Sequence, residues 1–244
     1  MPDERHEFAL FCPTLPDGLA PDAVYGVVER ELVHRLVHVL RVEGGESLLL
    51  FDRRQAAGVV VQAVDKHQVT CRVAEVRPLQ PLSPAITWYL PLLAREAYEA
   101  AVSILTSMGA LAIVPLITEK SEQRNRPADR LERVMIAAAE QSKQLVLPRI
   151  APVEVLSRSE LLEPVAGQMR IFFDPAGEAA WNVLSAIRSA GPTAISCLIG
   201  PEADLTEAEK DLLREAGVHF CALTPTILRA EQAVTVAMGL LRSC

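Results

Sequence analysis

Apolar residues recur along this chain in two rhythms. Over residues 1–78 a short rhythm dominates, apolar positions alternating with polar ones or gathering in brief runs, and it predicts strands over 8–11, 47–51, 58–64 and 69–76. Residues 28–39 break it with helical spacing, Leu32, Leu36 and Val39 falling on one face. Pro13, Pro16, Gly18 and Pro21 mark a loop before that helix, and Gly44-Gly45 a turn after it. One helix among several strands predicts a small barrel-like β domain over residues 1–78.

Pro78, Pro81 and Pro84 close that segment, and beyond them strand and helix alternate. Strands are predicted over 86–90, 110–115, 169–173, 194–199 and 218–223. Helices are predicted over 94–108, 129–141, 178–189 and 230–241, the first with Ala97, Ala101, Ile104 and Met108 on one face. A further helix is punctuated at both ends: Thr206 with Glu209 forms a capping box, and Gly217 follows the last turn. This alternation predicts an α/β domain over residues 79–244, built on a mostly parallel, doubly wound sheet. In such sheets ligands bind outside the carboxyl ends of the strands, where Gly200 and Pro225 follow the strands ending at Ile199 and Leu223.

Composition narrows the class. Half of the residues are hydrophobic, enough for a sizeable core. No apolar run approaches the length of a membrane span, and no leader-like stretch opens the chain, so a cytoplasmic protein is expected. Five scattered cysteines without a Cys-x-x-Cys pair read as reduced thiols, Cys197 and Cys221 within strands. His34 and His38 have a spacing able to hold zinc, but no third ligand accompanies them and Arg35 and Arg41 add positive charge, so no metal is expected. The net charge of −7 is shared by both halves, so any contact with nucleic acid needs locally concentrated Lys and Arg. The stretch with Lys120, Arg124, Arg126, Arg130 and Arg133 is such a place, although interspersed acids make it read equally as a solvated loop.

Several motifs occur in a telling order. A Gly200-Pro201-Glu202 loop precedes a short helix ending in Ala216-Gly217, then a strand, then Leu223-x-Pro225-x-Ile227-Leu228-Arg229-x-Glu231 opens an apolar helix. Upstream stand His34-x-x-x-His38-Val39-Leu40-Arg41, Leu111 to Pro115, and Glu140-Gln141-Ser142 with Pro148-Arg149-Ile150. Together they resemble the knotted SPOUT methyltransferases, and among them the enzymes that methylate N3 of a uridine in small-subunit (16S) ribosomal RNA.

The resemblance implies a trefoil knot in the C-terminal domain, a PUA-like RNA-binding domain at the N-terminus, S-adenosylmethionine as cofactor, ribosomal RNA or the assembled small subunit as partner, and a homodimer. It implies a cofactor pocket at Phe173, Ile199, Gly200, Pro201, Glu202, Leu223, Pro225, Ile227 and Leu228. Arg229 would stabilise a deprotonated uridine, with Glu231 fixing it or touching RNA, and Arg35, Arg41, Arg124 and Arg126 would meet RNA. As plain residues, Arg229 and Glu231 read equally as a pair near a helix start, and Arg41 as a helix-end cation. Acidic residues at 202, 204, 207 and 209 suit a cationic sulfonium and disfavour a pyrophosphate, and no Gly-x-Gly-x-x-Gly is present. The chain departs from the family where Ala203-Asp204 replaces a Gly-Gly pair, where Thr224 and Thr226 replace Gly and Arg, and where the first helix of the second domain lacks lysines. Those departures leave a second reading open, a non-catalytic RNA- or ribosome-binding relative. The apolar helix over 230–241 has more apolar surface than one buried stripe requires, which predicts pairing of two copies.

Overall fold

The computed structural model describes residues 8–122 and 127–243. Among these residues two compact units emerge, one of residues 8–80 with 140–145, the other of residues 81–122, 127–139 and 146–243. In the first, strands β1 (Phe8–Phe11), β2 (Val24–Val27), β3 (Ser47–Phe51), β4 (Gln55–Val64) and β5 (Val69–Pro78) form one sheet in the order β1-β3-β4-β5-β2. β1 lies parallel to β3, and the other pairs are antiparallel. Bulges between Gly58 and Val59 and between Val61 and Ala63 interrupt the β4–β5 register; such insertions bend and twist a strand. Leu10, Leu36, Leu48, Leu50, Val59 and Val73 are buried in the unit's core.

β2 was not predicted, and the helix begins later than its apolar spacing suggests. α1 (Arg30–His34) runs on directly as a π-helical segment over Arg35–Leu40, ended by Arg41 in a left-handed conformation with φ of 55°. A π-helix has more residues per turn than the 3.6 assumed from spacing. Leu32 and Leu36 still point inward, but Val39 is 64% exposed and Leu40 packs on the core instead.

In the second unit β6 (Ala85–Pro91), α2 (Arg95–Ser107), β7 (Ala112–Ile117), α3 (Ala128–Ser142), β8 (Arg149–Ile150) and β9 (Glu154–Val155) come first; the last turn of α3 belongs to the first unit. Then follow β10 (Gln168–Ala179), α4 (Ala180–Ala190), β11 (Ala194–Ile199), α5 (Glu207–Glu215), β12 (His219–Ala222) and α6 (Ala230–Arg242). The sheet is parallel throughout, in the order β12-β10-β11-β6-β7-β8, with β9 also beside β7. The central strands read as nearly unbroken apolar runs because both faces are covered, as parallel sheets require. Trp88, Tyr98, Phe172, Ile86, Leu90 and Leu105 are fully buried, each worth about 1.5–3 kcal/mol against exposure.

The inward face of α2 is Tyr98, Ala101, Val102 and Leu105, about one position round from the predicted stripe. Ala97, Ile104 and Met108 are only partly buried, packed at its edge. α6 packs its Val234, Ala237, Met238 and Leu241 into the same core. Its end is pinned by Arg242, whose guanidinium donates to the carbonyls of Pro84 at 2.8 Å, Met108 at 3.0 Å and Gly109 at 2.5 Å. Cys12, Cys71, Cys197 and Cys221 are buried and unpaired, and burial raises their thiol pKa values, to about 11 for Cys71 and Cys221. Among the described residues no group of His, Cys, Asp and Glu is arranged to hold a metal ion, and no helix is long and apolar enough to cross a membrane.

Candidate active site

β10, β11 and β12 are parallel, two of them flanking β10, so the bulge within β10 and the loops after β11 and β12 come to one edge of the sheet. There the loops meet the start of α2 and the start of α6 around a cleft of about 900 Å³. Phe173, Ile199, Gly200, Pro201, Glu202, Leu223, Ile227, Leu228, Arg229 and Glu231 all line it, so residues far apart in sequence are brought together. Pro225 is exposed and is not among the lining residues. The lining also includes Ala94, Glu96, Ala97 and Ala100 at the head of α2, together with Asp174. Sequence reasoning missed this group, because small alanines at the start of a helix carry no chemical signature.

One wall is rigid and aromatic. Phe173 stacks on the buried Trp88 with ring centroids 5.8 Å apart, which fixes the face Phe173 offers. Beyond Phe173 the β10 strand bulges, and its register against β12 resumes only at Glu178. Asp174 organises that bulge by accepting from the amide of Ala176 at 2.7 Å. Gly177 makes the bulge possible, since a Cβ there would stand 2.4 Å from the backbone nitrogen of Cys221.

The Gly200-Pro201-Glu202 loop is held from several sides. Glu202 Oε1 accepts the Ala94 amide at 2.9 Å, so its carboxylate caps the N-terminus of α2, where the helix dipole favours negative charge. Lys120 Nζ donates to the carbonyl of Ala203 at 3.2 Å, which takes Lys120 out of any basic patch free for RNA. Asp204 adopts φ of 60°, a left-handed conformation that Asp tolerates better than most residues. The substitution of Asp for Gly therefore keeps the backbone geometry that glycine favours. The predicted capping box is present, Glu209 accepting from the Thr206 amide at 2.9 Å and Thr206 Oγ1 from the Glu209 amide at 3.3 Å. Glu209 also accepts the Glu119 amide at 2.8 Å, tying α5 to the loop after β7.

Arg229 is the N-cap residue of α6; its own amide donates to Gln232 Oε1 at 3.0 Å, and its exposed guanidinium makes no ion pair among the described residues. The expected pairing with Glu231 is therefore not formed. A helix start directs successive side chains about 100° apart, so residues 229 and 231 diverge. Ile227 is 88% exposed at the cleft's mouth.

Residues expected to meet RNA fall into three groups. Arg35 is engaged internally, its guanidinium bidentate on Glu140 at 3.0 and 2.7 Å, and the hydrogen bonds to Glu140 outweigh burial and raise its pKa. Arg41 is exposed in its left-handed turn. Arg124 and Arg126 lie outside the described residues. Arg130, from the same basic stretch, is clasped by Glu99 of α2, with Nη2 at 2.7 Å from Oε2. The hydrogen bond from Arg130 draws the Glu99 pKa down from 4.5 to about 2, helped by Arg95 and opposed by burial. A second groove, within the first unit, is lined by Arg30, His34, Arg35, His38, Lys66 and His67. His34 and His38 have ring centroids 4.9 Å apart.

The RNA methyltransferase domain family matches residues 80–242. Ribosomal RNA small subunit methyltransferase E of Bacillus subtilis is 30% identical over 225 residues, covering 86% of each chain. The protein of that name from Mycobacterium bovis is 28% identical over 242 residues, covering 94% of this chain and 88% of its own. Among solved structures, that of a ribosomal RNA small subunit methyltransferase E from Neisseria gonorrhoeae bound to S-adenosyl methionine superposes with a TM-score of 0.81, at 23% identity and with 98% of both chains covered. A domain match across the whole second unit and a relative this similar over most of both lengths show that the chain belongs to the RNA methyltransferase family, as a SPOUT methyltransferase of the small subunit methyltransferase E type.

Proposed function

We propose that the protein methylates N3 of a uridine in small-subunit (16S) ribosomal RNA, with S-adenosylmethionine as methyl donor. The observation that carries this reading is the convergence of the β10 bulge, two strand-end loops and two helix starts on one cleft, within the residues that the family match spans. S-adenosylmethionine supplies an electrophilic methyl group on a sulfonium. The cleft fits it: about 900 Å³ lies within the range of small-molecule sites, with apolar flanks from Phe173, Ile199, Leu223 and Leu228 beside polar backbone. Glu96, Asp174, Glu202, Asp204 and Glu231 line it; Lys210 pairs with Asp174 and Asp204, and the other three carboxylates stand against one lining cation, Arg229, a balance that suits a cationic ligand.

Phe173 and Leu228 would flank the adenine, and the strand-end amides and carbonyls at Ile199, Gly200 and Leu223 would read its edge. Pro201 and Ile227 would close the pocket's rim. Arg229 at the mouth stabilises negative charge on the uracil ring as N3 loses its proton to solvent. The freed N3 lone pair then forms the new bond to the methyl carbon as the carbon–sulfur bond breaks, its electron pair staying on sulfur. Arg229 itself remains protonated and cannot serve as base.

The finer architecture belongs to the same reading. The parallel sheet with α6 pinned beside α2 supports a trefoil knot, and the bulged sheet of the first unit supports a PUA-like RNA-binding barrel. Its basic groove, with Arg41, is the proposed RNA surface of that unit. Val236 and Leu240 of α6 stay partly exposed beside the buried stripe, which supports a homodimer. A cytoplasmic location follows from the substrate. Calorimetry with S-adenosylmethionine tests the reading: micromolar binding is expected, and no heat at millimolar cofactor would remove it.

A further inference from the structure

Behind the cleft wall lies an ionic bridge, buried at Lys210 and Asp174 and open to solvent at Asp204, that the proposed chemistry does not use. Lys210 projects from the first turns of α5, its side chain only 10% exposed. Its Nζ stands 2.7 Å from Asp204 Oδ2 and 2.8 Å from Asp174 Oδ2. Asp174 opens the bulge after Phe173, and its side chain is 3% exposed. Asp204 closes the loop after β11, its other oxygen accepting the Leu205 amide at 2.7 Å. That carboxylate also lies against Gly200, where a Cβ would come within 3.0 Å of Asp204 Oδ1. Both aspartates line the cleft, whereas Lys210 does not.

We propose that Lys210 is a positioning residue for the cofactor, clamping the β10 bulge at Asp174 to the loop after β11 so that the neighbouring cleft residues, Phe173 and Gly200, keep a fixed spacing. The inference rests on the reading of the cleft as an S-adenosylmethionine site. Neither aspartate is free to do this alone, because two carboxylates drawn together without a cation repel, and a buried one without a partner is costly. A Lys–carboxylate bridge between two loops fixes their separation and leaves the backbone of each free to bind. Burial works against the lysine's charge, but the two aspartates outweigh it and its pKa is raised, so the clamp stays closed across the neutral range.

The test uses the full-length protein and S-adenosylmethionine as probe, read by calorimetry, with thermal unfolding measured in parallel. Asp204→Asn keeps a residue tolerant of the left-handed turn and an acceptor for the Leu205 amide, but removes the charge that holds Lys210. It should weaken cofactor binding about tenfold, the effect of roughly 1.4 kcal/mol, with the loss appearing in KM for the cofactor more than in kcat. Lys210→Met paired with Asp174→Asn, which avoids stranding a buried charge, should weaken binding at least as much, and Lys210→Arg should restore most of it. Unchanged cofactor affinity in both Asp204→Asn and the double variant, with only the melting temperature lowered, would overturn the proposal and make the bridge merely structural. Absence of binding by the unaltered protein would instead overturn the reading of the cleft.

Discussion

At the scale of single residues, the proposed reading gives Arg229 the chemistry and its surroundings the binding. Its guanidinium is exposed at the cleft's mouth and free of ion pairs among the described residues, so its removal breaks no ion pair there. Arg229→Ala should leave cofactor affinity within a few-fold while lowering turnover about 100-fold, the scale for losing one preorganised charge-stabilising donor. Single-turnover kinetics at saturating cofactor measure this directly, and an unchanged rate would return Arg229 to the role of a helix cap. Other arginines look similar in sequence and differ in fact. Nothing in a stretch of sequence tells that Arg35 will meet Glu140, 105 positions away, or that Arg130 will meet Glu99. Long-range partners of long side chains are set by packing, which is why free cations were harder to read from sequence than the pocket loops.

At the scale of elements, the strands and helices of the second unit were largely legible, because parallel strands covered on both faces are continuous apolar runs and helices carry their own caps. Thr206, Glu209 and Gly217 act where local chemistry puts them. What escaped was geometry that departs from ideal periods. The π-helical turn moved Val39 outward, and the β10 bulge carried the strand predicted over 169–173 on through Pro175 and Gly177 to Ala179. Gly177 gives a sharp test of that bulge. Gly177→Ala forces a Cβ into the Phe220–Cys221 backbone and should cost at least about 1–3 kcal/mol, the range for overpacking, measurable as a lowered urea midpoint. Unaltered stability would mean that the strand pairs differently there.

The link between α2 and α3 is sensitive to acid. Glu99 is ionised well below the ordinary range because Arg130 and Arg95 hold it, so its contribution is complete above its unfolded pKa near 4.5 and disappears as pH falls toward about 2. Both groups are open to solvent, so screening keeps the effect small. Stability of the native protein should therefore fall more steeply between pH 4.5 and 2 than that of Glu99→Gln, as followed by urea titration at each pH. Parallel curves would show the pair to be energetically silent.

At the scale of the whole molecule, an acidic chain acting on RNA must place its cations selectively, and the structure does so by withdrawing several of them. Lys120, Arg130, Arg170 and Arg242 are committed to carbonyls or carboxylates of the protein. Exposed cations remain in both units, Arg41 and Lys66 in the first and Arg133, Arg149, Arg158, Arg188 and Arg229 in the second. RNA affinity should therefore be modest and fall with salt, with a slope that decreases by about one when Arg41 is replaced by Ala. Light scattering should give the mass of two chains at micromolar concentration, and a single-chain mass would remove the proposed pairing through α6.

The account turns on one reaction, and one measurement meets it head on. Purified protein, small ribosomal subunits from cells lacking the gene, and S-adenosylmethionine carrying an isotopically labelled methyl group are combined, and the digested RNA is read by nucleoside mass spectrometry. A labelled N3-methyluridine at a single position, absent when the cofactor is omitted and nearly absent with Arg229→Ala, is the predicted result. Label on a different atom or base, or no label from a protein that binds the cofactor, would contradict it.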